Sequence, residues 1–145
     1  MSDGRFLIIQ YCDDVRQEIG NKYSLIGCYG DDLLLERFPA LLPKFCAQVK
    51  ATTPRDTPFQ KLVVRAFMND TQIGELEIPT AALIQAMDVV RREDLQVLTY
   101  NVFMTFSPLA IEEECLLRIE AESEAGALVG APISIRIHPN QAPAA

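Results

Sequence analysis

The sequence is poor in the residues that most catalytic and metal centres use. Its only histidine is His138, close to the C-terminus, so no second imidazole is available for a metal site or a nucleophile-base pair. A Gly-x-Ser-x-Gly stretch and a glycine-rich phosphate loop at a strand-to-helix junction are both missing, which disfavours the corresponding hydrolase and nucleotide-binding classes. Cys12, Cys28, Cys46 and Cys115 are scattered, with no Cys-x-x-Cys pair to give the close ligand spacing of a zinc site. They are expected to be reduced, small apolar residues of the core, and no cofactor, catalytic or metal residues are expected.

Long apolar runs and positive charge are also scarce. In MSDGRFLIIQYCDD the apolar run covers only Phe6 to Ile9, too short for a signal-peptide core or a membrane span, so a cytoplasmic location is expected. Thirteen basic side chains stand against twenty acidic ones, a formal charge of −7, and the longest basic run is Arg91-Arg92. That balance opposes the counterion release that drives binding to nucleic acid or anionic lipid, so neither is an expected partner.

What remains is an ordinary globular composition. With 145 residues, 49% apolar and 23% charged, the chain has the size and the apolar content of one domain. The expected domain covers residues 1–138, with 139–145 a frayed, proline-containing tail. Proline and glycine divide the sequence into short segments, and several alternate with a period of two. In KFCAQVKAT, Phe45, Ala47, Val49 and Ala51 fall on one side, and Lys44, Cys46, Gln48 and Lys50 on the other, as a strand with one dry and one wet face requires. Gln60 to Met68 repeats the pattern with Leu62, Val64, Ala66 and Met68 inward, and Asn69-Asp70-Thr71 turns it into a hairpin with Ile73 to Ile78. Cys115 to Ala121 and Val129 to Ile137 alternate likewise, joined through Ser123 to Leu128. Leu95 to Phe106 is apolar on both parities and reads as a central strand. One helix is expected after Pro79, with Thr80 as cap, Leu83, Ile84, Met87 and Val90 on one face and Arg91 and Arg92 near its C-terminal end. About eight or nine short strands with one short helix indicate an all-β, antiparallel two-sheet β-sandwich, immunoglobulin-like or similar.

The stretch CDDVRQEIGNKYSLIGCYGDDLLLE, residues 12–36, concentrates the charge of the N-terminal third. A two-residue turn at Gly20-Asn21 would place Asp13 opposite Cys28, Val15 opposite Ile26, Gln17 opposite Ser24 and Ile19 opposite Lys22. Leu7, Ile9, Tyr11, Val15, Ile19, Ile26 and Cys28 would then share one face, and Asp14, Arg16, Glu18, Tyr23 and Leu25 the other. Alternating charges on the exposed face support one another by roughly 0.2 to 1 kcal/mol per pair. That register turns Asp13 toward the apolar face, where its carboxylate needs backbone amides, an arginine from another strand or a bulge that turns it outward; a helical reading in which Asp13 caps VRQEIG is the alternative. Asp13, Asp14, Arg16, Glu18 and Lys22 are therefore the candidate interaction or polar-network residues.

YCDDVRQEIGNKYSLIGCYGDDLLL, followed by FPALLPKFCAQVKATTP, resembles a family of functionally uncharacterised small bacterial proteins. Their pattern is a Cys-Asp-Asp-x-Arg-x-Glu opening, Gly-x-Lys, Leu-Ile-Gly-x-Tyr and Phe-Pro-x-x-Leu-Pro. The resemblance covers roughly the first half of the chain and implies a β-sandwich and a bacterial origin, but no activity; here Lys22 follows Asn21 rather than a second glycine.

The expected function is a non-catalytic protein-interaction or structural module, either self-associating or bound to an unknown protein partner, since the edge strands need protection or pairing and the apolar segment Leu95 to Phe106 could be covered by a partner instead of by the chain's own second layer. Two alternatives remain open. A calcium-binding module would use Asp31-Asp32, Asp56, Asn69-Asp70 or the Glu112 to Glu114 run, though none is spaced like a dedicated calcium loop. A carboxylate-based hydrolase would need two acids facing one cleft.

Overall fold

A computed structural model of the chain describes residues 4–89 and 96–139. These residues form twelve strands and one helix: β1 (Phe6–Glu18), β2 (Lys22–Cys28), β3 (Asp32–Leu35), β4 (Ala40–Leu42), β5 (Phe45–Pro54), β6 (Leu62–Met68), β7 (Thr71–Glu77), α1 (Thr80–Val89), β8 (Val97–Phe106), β9 (Leu109–Ile111), β10 (Cys115–Ser123), β11 (Gly126–Val129) and β12 (Ile133–Ile137). One sheet has the order β2-β1-β5-β8. The other has the order β3-β12-β10-β6-β7, with β11 paired to β10, and β4 and β9 form a separate two-stranded ribbon. The sandwich expected from the alternation is the observed architecture.

The core lies between the two sheets, as period-two alternation demands. Phe45, Ala47, Val49, Tyr100 and Val102 from the first sheet meet Leu62, Val64, Leu117, Ile119 and Ile133 from the second, all buried. All the strand pairs are antiparallel except β12 with β3. The segment expected to run unbroken from Val129 to Ile137 is split into β11 and β12 around Gly130. A Cβ there would meet Ile9 Cγ1 at 2.4 Å, so glycine lets β1 approach the opposite sheet.

Three further expectations need correction. Residues 97–106 form an edge strand, since β8 pairs only with β5 among the described residues; its inward side chains are buried, while Val97 is 46% exposed. The strand covered on both sides is β5, where Cys46 and Gln48 of the expected wet face are buried, as is Thr52 further along the same side. In α1 the amides of Ala82 and Leu83 donate to the carbonyl of Pro79, so Pro79 rather than Thr80 takes the capping place. Leu83 is buried but Ile84 is exposed, so they do not share a covered face; the Met87 side chain, Val90, Arg91, Arg92 and Leu95 lie outside what is described.

Candidate functional site

The β1-β2 hairpin has a register one residue away from the expected one. Glu18 stands opposite Lys22, Gln17 opposite Tyr23, Arg16 opposite Ser24 and Cys12 opposite Cys28, around a three-residue loop of Ile19, Gly20 and Asn21. Gly20 and Asn21 both have positive φ, 90° and 56°, which absorbs the extra residue. A slip of one exchanges the cross-strand partners, so Tyr23 and Leu25 join Val15 and Gln17, while Asp14, Arg16 and Glu18 share their side with Ser24 and Lys22.

This hairpin does not continue straight out of the sheet. Gln10 stands opposite Gln48 on β5, and Gln17, paired with Tyr23, would lie about 23 Å further along a straight strand. Yet the Tyr23 hydroxyl meets Gln48 Nε2 and donates to Asn101 Oδ1 at 3.4 Å, and its ring packs edge-on against Phe103 at 5.0 Å. Gln48, Asn101 and Phe103 point away from the core, so the hairpin folds back across the outer face of its own sheet. That cover is why β5 is buried on both sides.

The bend lies at Asp13 and Gly27, where the ladder between Cys12↔Cys28 and Asp14↔Ile26 has no pair. Gly27 has φ 67°, and a Cβ on it would stand 2.2 Å from Asp13 Oδ2. Asp13 is exposed, contrary to the expected inward orientation, and its carboxylate accepts from the Tyr29 hydroxyl. The partner is a tyrosine at the outward turn of a bend, neither an arginine nor a helix start.

The other candidates do not converge with it. Asp14 pairs with Lys44 at 2.6 Å and accepts from the Val15 amide; the Lys44 hydrogen bond, then that amide, hold its carboxyl below the usual range. Glu18 accepts from Arg16 at 2.9 Å and from Ser24 at 3.1 Å, and exposed Lys22 stands opposite Glu18 across the loop. These are charges on the solvent side of a folded-back hairpin.

Sequence reasoning missed Arg5, which is 7% exposed. Its guanidinium donates to Thr53 Oγ1, Ser123 Oγ and the Thr57 carbonyl, pairs with Glu124 at 2.5 Å and lies 4.6 Å from the Phe59 ring centroid. Glu124 also accepts from the amides of Gln60 and Lys61. Burial alone pushes the Glu124 carboxyl up, but the Gln60 amide, Arg5 and the Lys61 amide outweigh it and hold it below the usual range. An arginine directly before an apolar run carries no signal of this role; the cluster ties the N-terminus to the ends of β5 and β10.

A cleft does exist between the edges β7 and β8. Ile73, Gly74, Glu75 and Leu76 line one wall, and Phe103, Met104, Thr105 and Phe106 the other. Gly74 leaves room for the Phe106 ring, which a Cβ would meet at 3.0 Å. The two edges differ in chemistry. β7 carries Glu75, held by Arg65 at 2.8 Å, and Glu77, and its ladder to β6 is interrupted at Ala66/Phe67. β8, VLTYNVFMTF, has no charged residue and no proline over ten positions.

Three of the loop residues considered for calcium have partners within the chain. Asp32 accepts from Arg136 at 2.9 Å, Glu114 from the Ile137 amide, and Asn69 Oδ1 from the Leu116 amide. Among the described residues no three His, Cys, Asp or Glu side chains gather as a metal site.

No family model and no curated protein matches the chain. Among solved structures it is similar to the CARDB domain of a Pyrococcus furiosus protein, crystallised in complex with di-metal ions. Identity is 11% over 92% of this chain and 94% of that one, with a TM-score of 0.41. At that identity and score the likeness carries no argument about chemistry.

Proposed function

We propose that this chain is a non-catalytic protein-interaction module that takes up an extended protein segment along β8. The carrying observation is the contrast between the two edges that border one cleft. Natural sheets protect edges with charge, bulges or cover, and β7 has the first two while β8 has neither. A strand added to β8 would gain its main-chain hydrogen bonds. Its inward side chains would enter the cleft beside Ile73, Leu76 and Met104, which is how strand addition combines affinity with selectivity. The chain's charge of −7 favours a neutral or basic segment over an acidic one. A second copy can also serve, because antiparallel pairing of β8 with itself about a twofold axis joins one surface to its own duplicate.

The test combines light scattering with amide exchange on the purified chain. At low concentration the β8 amides that do not bond to β5 should exchange freely, and they should become protected as the scattering mass rises with concentration. Val97→Lys, which puts charge on the edge at an exposed position, should abolish that rise without lowering the melting temperature. A dilute monomer whose β8 amides are uniformly protected would overturn the reading, because the edge would then already be covered.

A further inference from the structure

Cys28, Cys12 and Cys46 form one row across three neighbouring strands: Cys12 of β1 stands opposite Cys28 of β2 on one side and Cys46 of β5 on the other. Residues directly opposite each other in an antiparallel pair project from the same face, so the three thiols share the outer face of the sheet, at the base of the folded-back hairpin. The two pairings differ in geometry. The Tyr29 amide donates to the Tyr11 carbonyl at 2.9 Å, which makes Tyr11 and Tyr29 a hydrogen-bonded pair and the adjacent Cys12 and Cys28 a non-hydrogen-bonded one. In such a pair the Cα atoms stand about 4.5 Å apart with the side chains close, within the span of a disulfide. Cys28 is exposed, whereas Cys12 and Cys46 are fully buried.

We propose that Cys12 and Cys28 are a redox modification site, closing to a disulfide that staples the base of the folded-back hairpin when a low-molecular-weight disulfide is present. The exposed Cys28 loses its proton to water, and its thiolate attacks one sulfur of the small disulfide. A Cys28 mixed disulfide forms and one small thiolate leaves. Cys12 then gives its proton to the small thiolate released in the first step and attacks Cys28 Sγ, forming the Cys12–Cys28 bond and expelling the second small thiolate. Two protein thiols are oxidised and one small disulfide is reduced to two thiols. Burial, followed by the neighbouring Cys46 and Cys28, pushes the Cys12 thiol up to about 11, so Cys28 is the entry point and closure quickens as pH rises. Strand β5 separates the Cys12–Cys28 pair from β8, and the pairing does not rest on the strand-docking reading.

The experiment treats the full chain with oxidised glutathione and digests it with trypsin without reduction. The expected product is lighter by two hydrogens than the reduced chain and links peptide 6–16, which holds Cys12, to peptide 23–37, which holds Cys28. Its melting temperature should rise by roughly 5 to 10 °C, because the bond closes the 13–27 loop. Cys28→Ser, a change at an exposed position, should remove both the link and the rise. A Cys28 that stops at the mixed disulfide, or a link from peptide 6–16 to peptide 45–50, which holds Cys46, would overturn the assignment.

Discussion

The carboxylate of Asp13 lies directly over the Cα of Gly27: a methyl group at position 27 would stand 2.2 Å from Asp13 Oδ2 and 2.8 Å from its Cγ. With Gly27 at φ 67° and Tyr29 donating to the same carboxylate, this contact marks where the hairpin leaves the plane of its sheet. Gly27→Ala meets both a left-handed backbone and an occupied space. It should cost about 2 kcal/mol or more in urea unfolding at unchanged m-value. Asp13→Ala in the same chain should return part of that loss by emptying the space. Strict additivity of the two substitutions would show that the contact does not shape the bend.

Tyr23 is the side chain that fastens the hairpin to the sheet, through Phe103, Gln48 and Asn101. Tyr23→Ala should destabilise the protein by roughly 1 to 3 kcal/mol, less than a fully buried aromatic would, because Tyr23 is only half-buried. Its more telling effect is local. Amides of β2 and of β1 beyond Asp13 should exchange faster, while those of β6 and β10 keep their protection. Equal loss of protection in both sheets would mean that the hairpin is not a separately anchored unit.

The architecture was legible because burial on one face imposes a period of two, which Leu62 to Met68 and Cys115 to Ser123 display openly. Side-chain period carries no information on what lies above a sheet, however. Cys46, Gln48 and Lys50 therefore read as a wet face although the hairpin covers much of it, and the apolar parity of Val97 and Phe103 suggested a central strand where the chain has an edge. The hairpin register slipped by one because Gly20-Asn21 fits a two-residue turn, whereas the loop includes Ile19, which is 94% exposed and so has no apolar contact to betray its place. Short strands such as β3, β4 and β9 lie below the length at which alternation can be read. Arg5 was illegible for another reason: its partners Thr53, Thr57, Ser123 and Glu124 are 48 to 119 positions away and come together only in the fold.

Arg5 and Glu124 also set a pH dependence. Glu124 binds a proton less readily in the folded chain than in the unfolded one. Its stabilisation is therefore complete above the ordinary carboxylate range and is lost as pH falls through it. Asp14, held by Lys44, and Glu122, held by Lys61 and Arg65, act in the same direction from exposed positions. The melting temperature should fall between about pH 5 and pH 3, and a carboxyl-resolved titration should place Glu124 below its ordinary value. Arg5→Met strips a buried charge partner and the donors to Thr53, Ser123 and Thr57, at a cost of about 3 to 5 kcal/mol near neutral pH, and should flatten the acid limb. Glu124 titrating at or above the usual glutamate value would contradict the ion-pair assignment.

Tyr100 offers the opposite case, a polar atom whose removal should help. Its hydroxyl is buried with no hydrogen-bond partner among the described residues, although its ring packs edge-on against Phe59 at 5.5 Å and belongs to the core. An unpaired buried hydroxyl costs roughly 1 to 3 kcal/mol in lost hydration, whereas the ring's apolar contacts do not depend on the oxygen. Tyr100→Phe keeps the ring and deletes the orphaned group, leaving a gap of one atom whose lost contacts offset part of the gain. Stability should therefore stay level or rise by up to about 1 kcal/mol. A loss of more than about 1 kcal/mol in chemical unfolding would mean that the hydroxyl has a partner after all, most simply an ordered water beside the Arg5 cluster, which shares Phe59 with it.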